Sequence, residues 1–378
     1  MSLETCTKKL GFGLMRLPMC GDEVDMEQTK QMVDLFLDAG FTYFDTAYGY
    51  LDGKSEQAVK TALVDRHPRS SFLLATKLPA WAGAKTKQEA EAMLETSLAR
   101  TGAGYFDFYL LHNLGDDRTR IFEEYDLWNF VRRKKEEGIL RHIGFSFHDK
   151  ADALDRLLTE HPEVDFVQLQ INYADWESPS IQSRLCYETA RRHGKPVIIM
   201  EPVKGGNLAS PPAPIADLFR AHNPDASPSS WAIRFAASLP GVITVLSGMS
   251  NLAQMRDNIS YMKEFRPLDS AEQEVIGQVR AAFDALPTVP CTACGYCLRD
   301  CPRGVGIPTA FRAVNQITLY GNEKTNIWQY HRFLTVSERN PAADCIGCGR
   351  CEQVCPQHIQ IRKELERAAA MLDREEKQ

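Results

Sequence analysis

The chain has 378 residues, of which 44% are hydrophobic and 25% are charged, and its formal net charge is -6. This composition is typical of a globular protein with a sizeable core and leaves room for two domains. The acidic balance argues against a nucleic-acid partner, whose phosphates need a basic surface. The longest apolar runs have the length of a strand, not the ~20 residues that a membrane-spanning helix needs.

The N-terminus and the eleven cysteines both bear on the compartment. The first residues do not form a good signal peptide, because Arg16 interrupts a short apolar stretch. We therefore predict a cytoplasmic protein. In that reducing compartment, cysteines are more often metal ligands than disulfide partners.

Short apolar segments alternate with helical patterns up to about residue 265. The predicted strands are residues 11–17, 43–47, 72–78, 106–112, 142–148, 166–172, 196–202 and 241–248. The first of them is also compatible with an N-terminal hairpin. The predicted helices are residues 27–39, 55–66, 86–101, 119–137, 150–160, 179–193, 228–238 and 251–263.

This alternation of strand and helix predicts parallel strands joined by crossover helices. About eight repeats over roughly 265 residues match a closed (β/α)8 barrel, or TIM barrel. A doubly wound open sheet is the alternative. The sequence weakens that alternative, because no G-x-G-x-x-G follows the first strand.

A second, smaller domain follows the predicted barrel. A further helix, residues 269–286, leads to the segment LPTVP, where we place the boundary between a barrel of residues 1–286 and a domain of residues 287–378. The second domain contains two cysteine motifs. A mostly helical spacer, residues 308–337, separates the motifs, and a charged helix, residues 360–377, closes the chain.

Both motifs, CTACGYCLRDCP and CIGCGRCEQVCP, read C-x-x-C-x-x-C-x-x-x-C-P. In two-cluster ferredoxins the first three cysteines hold one [4Fe–4S] cluster, and the fourth, followed by proline, holds the other. The spacing therefore predicts two clusters. Their predicted ligands are Cys291, Cys294, Cys297 and Cys355 for one cluster and Cys345, Cys348, Cys351 and Cys301 for the other. Zinc is the alternative, but zinc ribbons need no third regularly spaced cysteine.

Roughly residues 288–360 resemble the bacterial two-cluster ferredoxins and the related modules that are fused to larger oxidoreductases. The spacer between the motifs is longer than in small ferredoxins and has a helical pattern. The resemblance therefore implies the α-helical type of dicluster module rather than the compact βαβ type. It also makes a ferredoxin or another redox protein a candidate partner.

Four polar residues follow neighbouring predicted strands, at the end where such a barrel carries its active site. They are Asp45 and Tyr50 in FDTAYGY, Lys77 in LATKLP and His112 in LLHN. An ammonium beside a carboxylate forms a stable pair, and the same ammonium near a phenol lowers the pKa of the phenol. Such a tyrosine can donate a proton to a developing alkoxide, and a neutral histidine can orient a carbonyl oxygen.

Residues 8–265 resemble the aldo-keto reductase superfamily, in which Asp, Tyr, Lys and His occur in this order on these strands. Asp45 and Tyr50 keep the D-T-A-x-x-Y spacing of that family. The resemblance implies nicotinamide-dependent hydride transfer to a small-molecule carbonyl. By the same resemblance Tyr50 is the general acid, Lys77 and Asp45 tune it, and His112 orients the carbonyl.

The resemblance also implies contacts to NADP(H). IGFSFH is similar to the I-G-V-S-N-F of the family, which implies that Ser146 contacts the nicotinamide amide together with Gln168 in VQLQINY. SGMSNLAQMRDN is similar to the segment that clamps the adenosine and its 2′-phosphate. The residues implied there are Gly248, Ser250, Gln254, Asp257 and Asn258.

Three positions depart from the family pattern. Phe147 stands where the family has an asparagine, and Met200 stands where an aromatic residue stacks on the nicotinamide. Gln254 stands where many members have an arginine for the 2′-phosphate, so NAD(H) is the alternative cofactor. Lys204 is a candidate phosphate contact.

Hydride transfer moves two electrons at once, whereas an iron–sulfur cluster accepts one at a time. A flavin is the usual group that divides the electron pair, and no flavin signature is visible in the sequence.

Three functions are therefore compatible with the chain. The first is a carbonyl reductase with structural, regulatory or docking clusters, and the second is a ferredoxin-linked reductase that uses the clusters for electron transfer. The third is a non-catalytic redox sensor. The intact set of four polar residues argues against the sensor, and we favour the first function.

Overall fold

The computed structural model describes residues 8–115 and 118–373. The described residues form two compact units, each built from two stretches of chain. The first unit is the chain up to Gly205 with Asp225–Ile276, and the second is Gly206–Pro224 with the chain from Gly277 onward.

The first unit contains a closed barrel of parallel strands and a short antiparallel hairpin. Its strands are β1 (Leu10–Gly13), β2 (Met19–Cys20), β3 (Glu23–Val24), β4 (Tyr43–Asp45), β5 (Leu73–Leu78), β6 (Phe106–Leu114), β7 (Leu140–Phe147), β8 (Phe166–Gln170), β9 (Val197–Met200) and β10 (Val242–Ser247). The order around the barrel is β1-β10-β9-β8-β7-β6-β5-β4, and β4 pairs with β1. The predicted TIM barrel is therefore confirmed. Its first strand belongs to the barrel, and β2 and β3 form the hairpin.

Helices follow most of the barrel strands. They are α1 (Met26–Asp38), α2 (Lys54–Val59), α3 (Lys87–Thr101), α4 (Thr119–Glu124), α5 (Leu127–Glu136), α6 (Ala151–Glu160), α7 (Ser183–Arg192), α8 (Ala213–His222), α9 (Pro228–Ser238), α10 (Leu252–Met262) and α11 (Ser270–Asp284). Apolar side chains between helices and strands form one large core, as expected for parallel strands that are buried on both faces. A smaller cluster around Tyr43, Phe108 and Phe166 fills the barrel interior.

Three helical segments differ from the prediction. The predicted helix 119–137 is broken, because Asp126 between α4 and α5 has a left-handed φ of 54°. The predicted helix 55–66 begins as α2 and continues as a π-helical turn, Lys60–Val64. Helix α8, a part of the second unit, is not apparent from the sequence, because three prolines precede or enter it.

A buried carboxylate stabilises the amino-terminal end of the barrel. Asp107, near the start of β6, is 1% exposed. It accepts hydrogen bonds from Arg69 Nη2 at 2.6 Å and from Arg141 Nη1 at 2.8 Å. The backbone N–H of Leu74 donates a third bond at 2.9 Å. These partners satisfy the buried charge at the end of the barrel opposite the predicted active site.

The second unit is mostly helical, as predicted. Besides α8 and the end of α11 it contains α12 (Tyr296–Arg299), α13 (Ile307–Tyr320), α14 (Glu323–Val336), α15 (Arg350–Gln353) and α16 (Ile361–Leu372). The predicted spacer 308–337 is two helices, since Gly321 and Asn322 between them have φ values of 68° and 52°. The core of the second unit includes Phe311 and Leu365. Within residues 8–115 and 118–373, no helix combines the length and apolar character needed to cross a membrane.

Candidate active site and cluster sites

The four predicted catalytic residues come together at the carboxyl-terminal end of the barrel. Asp45 ends β4, Lys77 lies near the end of β5, and His112 lies near the end of β6. These three strands are consecutive neighbours in the barrel. Tyr50 follows β4 in a 3₁₀ turn, Tyr50–Gly53.

The side chain of Lys77 connects this group. Its Nζ donates hydrogen bonds to Asp45 Oδ1 at 2.5 Å and to the backbone carbonyl of Thr46 at 2.8 Å. It also lies 3.4 Å from the hydroxyl of Tyr50 and 4.8 Å from the centre of the Tyr50 ring. Lys77 and Asp45 are 1% and 3% exposed. Solvent therefore screens this ion pair very little.

The electrostatics keep Lys77 charged. Burial alone would lower the pKa of Lys77, but the carboxylate of Asp45 and the hydroxyl of Tyr50 raise that pKa above its ordinary value. Burial raises the pKa of Asp45, and the charge of Lys77 opposes that rise. Asp45 Oδ2 is buried and accepts no hydrogen bond from the described residues, so Lys77 is the main stabiliser of this carboxylate.

Burial raises the pKa of Tyr50 above its ordinary value, although the charge of Lys77 works in the opposite direction. The sequence predicts that Lys77 lowers the pKa of the phenol. The charge of Lys77 does act in that direction, but the net pKa of Tyr50 is raised, so the predicted net shift is wrong. Desolvation of the phenolate outweighs the ammonium. Tyr50 therefore stays protonated at neutral pH and keeps a proton to donate.

His112 lies beside Tyr50 as a neutral imidazole. The two ring centres are 5.9 Å apart in an edge-on arrangement. Burial, reinforced by the charge of Lys77, lowers the pKa of His112 well below its ordinary value. The Nδ1 atom of His112 is buried and has no hydrogen-bond partner among the described residues.

Sequence reasoning missed three residues around His112. Trp81 donates a hydrogen bond from Nε1 to the backbone carbonyl of His112 at 2.7 Å, and the two ring centres are 6.0 Å apart. Burial, together with the nearby charge of Arg118, lowers the pKa of His148 to about 4. The sequence signal for Trp81 is its position shortly after the third predicted strand, and the signal for His148 is its position as the last residue of the fifth.

Ser146 and Gln168, the predicted nicotinamide contacts, are direct neighbours in the register of β7 and β8. Ser146 Oγ accepts a hydrogen bond from the backbone N–H of Asn113 at 2.7 Å. Gln168 Oε1 is buried and has no partner among the described residues, so it is an acceptor available to a ligand. Phe147 is 2% exposed and packs in the apolar core near Phe145, so it offers no polar group here.

The five residues predicted to contact the adenosine part of the cofactor fall into two groups. Gly248 follows β10, and Ser250 and Gln254 lie together at the start of α10, where Gln254 Oε1 accepts the backbone N–H of Ser250 at 2.7 Å. Asn251 caps the helix by accepting the backbone N–H of Gln254 at 2.9 Å. The loop after β10 is therefore held by local hydrogen bonds around the position of Gly248.

The other two predicted residues, Asp257 and Asn258, make contacts within the barrel unit. Asp257 Oδ2 accepts a hydrogen bond from Ser227 Oγ at 2.7 Å. Asn258 Nδ2 donates to Ser247 Oγ at 2.8 Å, and Asn258 Oδ1 accepts from the hydroxyl of Tyr261 at 2.5 Å. In this structure both side chains therefore fasten α10 to its neighbours.

The ends of β8 and β9 carry a polar network that the sequence did not reveal. Asp175 is 5% exposed and accepts hydrogen bonds from Lys204 Nζ at 2.5 Å and from Asn172 Nδ2 at 2.9 Å. Lys204, the candidate phosphate contact, is thus paired with a carboxylate. Glu201 follows β9 with a left-handed φ of 54°, a conformation that non-glycine residues rarely adopt.

Arg16 is another missed cation at this end of the barrel. It follows β1 in a 3₁₀ turn. A methyl group built on Gly205 would lie 3.6 Å from its Nη2, and one built on Gly248 would lie 3.8 Å from its Nη1. The positive charge of Arg16 opposes the rise in pKa that burial causes at Tyr50 and Glu201. Its position near the end of the first predicted strand, residues 11–17, was the available signal.

The eight motif cysteines line two separate cavities of the second unit. Site A is lined by Cys291, Cys294, Cys297 and Cys355. Site B is lined by Cys301, Cys345, Cys348 and Cys351. Each cavity therefore brings together three cysteines of one motif and the last cysteine of the other.

Local backbone geometry explains this arrangement. Gly295 and Gly349 have left-handed φ values of 78° and 75° and precede the short helices α12 and α15. Each of these helices carries the third cysteine of its motif, Cys297 or Cys351, into the core of the unit. A β-carbon disfavours this backbone conformation, which accounts for glycine in C-x-x-C-G-x-C.

Across the part of the chain that the structure describes, no group of three or more His, Cys, Asp or Glu side chains is placed to hold a single metal ion. The motif cysteines form no disulfides. A four-iron cluster needs a different arrangement, because its cysteines stand at the corners of a cube around a cavity. The all-thiolate donor sets of sites A and B fit such a cluster.

Two family models match the chain. The aldo/keto reductase family matches residues 9–281, and the 4Fe-4S dicluster domain matches residues 290–360. An aldo-keto reductase of Mycolicibacterium vanbaalenii is 30% identical over 268 residues, which cover 70% of this chain and 85% of that protein. An uncharacterized oxidoreductase of Bacillus subtilis, YqkF, is 24% identical over 280 residues, which cover 66% of this chain and 86% of that protein. The chain is thus an oxidoreductase, and it belongs to the aldo/keto reductase family.

Solved structures agree on the fold. The aldo-keto reductase AKR11C1 of Bacillus halodurans in its holo form has a TM-score of 0.56 at 24% identity and covers 72% of this chain and 91% of that one. An aldo-keto reductase of Klebsiella pneumoniae in complex with NADPH has a TM-score of 0.56 at 22% identity and covers 72% of this chain and 90% of that one. At these identities the likeness shows the barrel alone.

Proposed function

We propose that this chain reduces a carbonyl group of a small molecule with NADP(H), that Tyr50 is the general acid, and that the second unit holds two [4Fe–4S] clusters. The observation that carries the proposal is the buried Asp45–Lys77 pair next to the protonated hydroxyl of Tyr50. NADPH, when bound, supplies the hydride. The carbonyl oxygen also needs a proton, which a positioned side chain can donate.

Tyr50 suits the role of proton donor. Its raised pKa keeps it protonated before the reaction. When the carbonyl oxygen develops negative charge, the hydroxyl can donate its proton, and the phenolate that remains is stabilised by the ammonium of Lys77 at 3.4 Å. Asp45 holds that ammonium in place, so the stabilising charge is already organised.

His112 suits the role of orienting the substrate. An imidazole with a pKa well below its ordinary value is neutral at pH 7, so it donates one hydrogen bond without adding a charge. We propose that this bond holds the carbonyl oxygen next to Tyr50. Trp81 fixes the backbone at His112 through its indole N–H.

Ser146 and Gln168 would hold the nicotinamide amide, which offers both a donor and an acceptor. The unpartnered Oε1 of Gln168 supports this assignment. We propose NADP(H) on the strength of the NADPH-bound relative from Klebsiella pneumoniae, with NAD(H) as the alternative. Gly248, Ser250 and Gln254 would face the adenosine part, and Asp257 and Asn258 would reach it only by exchanging their present partners.

The four thiolates of site A would hold one [4Fe–4S] cluster, and the four thiolates of site B would hold another. Each cluster exchanges one electron at a time. These sites favour a second candidate function, a ferredoxin-linked reductase that uses the clusters for electron transfer. A non-catalytic redox sensor is disfavoured, because the polar groups at the barrel end are placed for proton donation. A cytoplasmic location stays a prediction from the sequence.

An anaerobic assay distinguishes the first two functions. Protein with both clusters confirmed by iron and sulfide content and checked for flavin is mixed with NADPH, with and without an aldehyde or ketone. We expect NADPH oxidation that depends on the carbonyl compound and leaves the visible absorption of the clusters unchanged. Bleaching of the clusters by NADPH without a carbonyl compound would instead support the electron-transfer function.

A further inference from the structure

Sites A and B are matched in two of the factors that set the reduction potential of an iron–sulfur cluster. Those factors include hydrogen bonds to sulfur, solvent exposure and net charge. Cys291 in site A and Cys301 in site B each accept a backbone N–H at 3.4 Å. Cys294 in site A and Cys348 in site B are the exposed cysteines. Hydrogen bonding and exposure therefore give no reason for unequal potentials.

The backbone around the two sites is matched as well. Ala293 and Gly347, at equivalent positions of the two motifs, have φ values of 57° and 68°. Gly295 and Gly349 have φ values of 78° and 75°. Because the loops follow the same course, the peptide dipoles around the two sites are similar. A difference in potential must come from side chains.

The charged side chains are not matched. Among the described residues, no charged side chain lines site A, whose lining besides the cysteines is apolar or uncharged. Arg303 and Arg362 line site B. The contrast is sharpest at the two equivalent glycines. A methyl group built on Gly295 would meet the apolar Leu298 at 3.9 Å, whereas one built on Gly349 would meet Arg362 Cζ at 3.5 Å.

An ion pair with Glu352 holds the guanidinium of Arg362 beside site B. Its Nε and Nη2 lie 3.0 Å and 2.9 Å from Glu352 Oε2, and its backbone N–H donates to Glu352 Oε1 at 2.9 Å. Its Nε and Nη1 lie 3.6 Å and 3.8 Å from a methyl group built on Gly349. Glu352 follows Cys351 in the chain, and its charge acts on that thiol, but of the two partners only Arg362 lines the cavity.

The other charges near the sites do not reverse this asymmetry. Arg303 is paired with Asp344 at 3.6 Å, and again the arginine lines site B while the carboxylate does not. Arg312 acts on Cys291 of site A, but it is exposed on α13 and does not line that cavity. Positive charge is thus closer to site B than to site A.

We infer that Arg362, held in place by Glu352, gives the cluster of site B a higher reduction potential than the cluster of site A. Reduction adds one negative charge to a cluster, and a nearby cation stabilises the reduced form more than the oxidised form. An electron that enters the module therefore comes to rest at site B. In that transfer the cluster of site A is oxidised and the cluster of site B is reduced, without a proton or a bond change.

This inference rests on the proposed pair of clusters, and a potentiometric titration of the anaerobic full-length protein followed by EPR tests it. We expect two midpoint potentials in the unaltered protein. Arg362→Gln should lower the higher midpoint and leave the lower one unchanged. Arg362→Lys, which keeps the charge, should restore most of the higher midpoint.

Lys363→Gln is the matched control, because it removes the neighbouring exposed cation of α16, which lines neither cavity. It should move both midpoints little. Arg362→Met, which also removes the charge, should lower the higher midpoint in the same way, and it tests the inference if Arg362→Gln does not load iron. Equal midpoints in the unaltered protein, or a shift of the lower midpoint in Arg362→Gln, would overturn the inference.

Iron and sulfide analysis separates this failure from failure of the proposed function. A chain that binds a single cluster would refute the two-cluster proposal itself, and the inference with it. Two clusters with full iron content and indistinguishable potentials would refute only the role of Arg362.

Discussion

Lys77 Nζ lies 2.5 Å from Asp45 Oδ1, and both side chains are almost completely buried. A charge pair in such a place depends on each partner. If one charge is removed, the other is left in the protein interior without compensation. The same pair holds the ammonium 3.4 Å from the hydroxyl of Tyr50, so it links the stability of the barrel to its proposed chemistry.

Lys77→Met should lower the free energy of unfolding of the barrel by about 3–5 kcal/mol, because it leaves the Asp45 carboxylate buried and unpaired. Chemical denaturation followed by tryptophan fluorescence measures this loss. The double variant Asp45→Asn/Lys77→Met should recover most of the stability but no carbonyl reduction. A single variant as stable as the unaltered protein would contradict the importance of the pair.

The pH dependence of kcat for carbonyl reduction should show a broad plateau. Activity needs neutral His112, whose pKa burial lowers well below its ordinary value of 6.5, so acid should not inhibit until the pH falls clearly below 6.5. Activity also needs protonated Tyr50, whose pKa burial raises above 10.0, so base should not inhibit until the pH exceeds that value. Steady-state rates at saturating NADPH and substrate measure the profile. A limb centred near neutral pH would disagree with these assignments.

Asp107→Ala should lower the free energy of unfolding by about 3 kcal/mol, because it removes a buried carboxylate that binds two guanidinium groups. The kinetic constants should stay unchanged, since Asp107 lies at the opposite end of the barrel from Tyr50. Asp65→Ala is the control. It breaks an exposed ion pair with Lys60 and should cost less than about 1 kcal/mol. Equal losses in the two variants would show that burial does not matter here.

Removal of iron should loosen the second unit and leave the barrel intact. Cys297 and Cys351 are buried in the core of that unit, so loss of bound clusters exposes apolar surface around them. Hydrogen exchange followed by mass spectrometry should show faster exchange in α13, with α3 of the barrel as the internal control. Unchanged protection of α13 in the iron-free protein would argue that the unit folds without clusters.

Much of the fold could be predicted, because parallel strands buried on both faces read as apolar runs at regular intervals. The interruptions and irregular starts of helices were harder to predict from the sequence. Asp126 adopts a left-handed conformation inside an otherwise helical pattern, and nothing in its neighbours signals this. Helix α8 begins among prolines, yet Ile215 and Phe219 are buried, so tertiary packing overrides the local preference.

The candidate site was predictable where chemistry depends on position along a strand. Asp45, Lys77 and His112 lie at or near the ends of consecutive strands, so their convergence follows from the topology. The net direction of the pKa of Tyr50 was not predictable, because it depends on the depth of burial. Arg16 was missed for a related reason, since its neighbours Gly205 and Gly248 lie far along the chain.

The most direct test of the account is the rate of NADPH oxidation by the anaerobic protein with a carbonyl substrate, measured for Tyr50→Phe and Tyr48→Phe. Tyr48 lies two residues away and takes no part in the proposed proton transfer. We expect Tyr50→Phe to lower kcat about 10²–10⁴-fold, with NADPH affinity and iron content unchanged. Tyr48→Phe should keep most of the activity. Equal rates in the unaltered protein and Tyr50→Phe would contradict the proposed function.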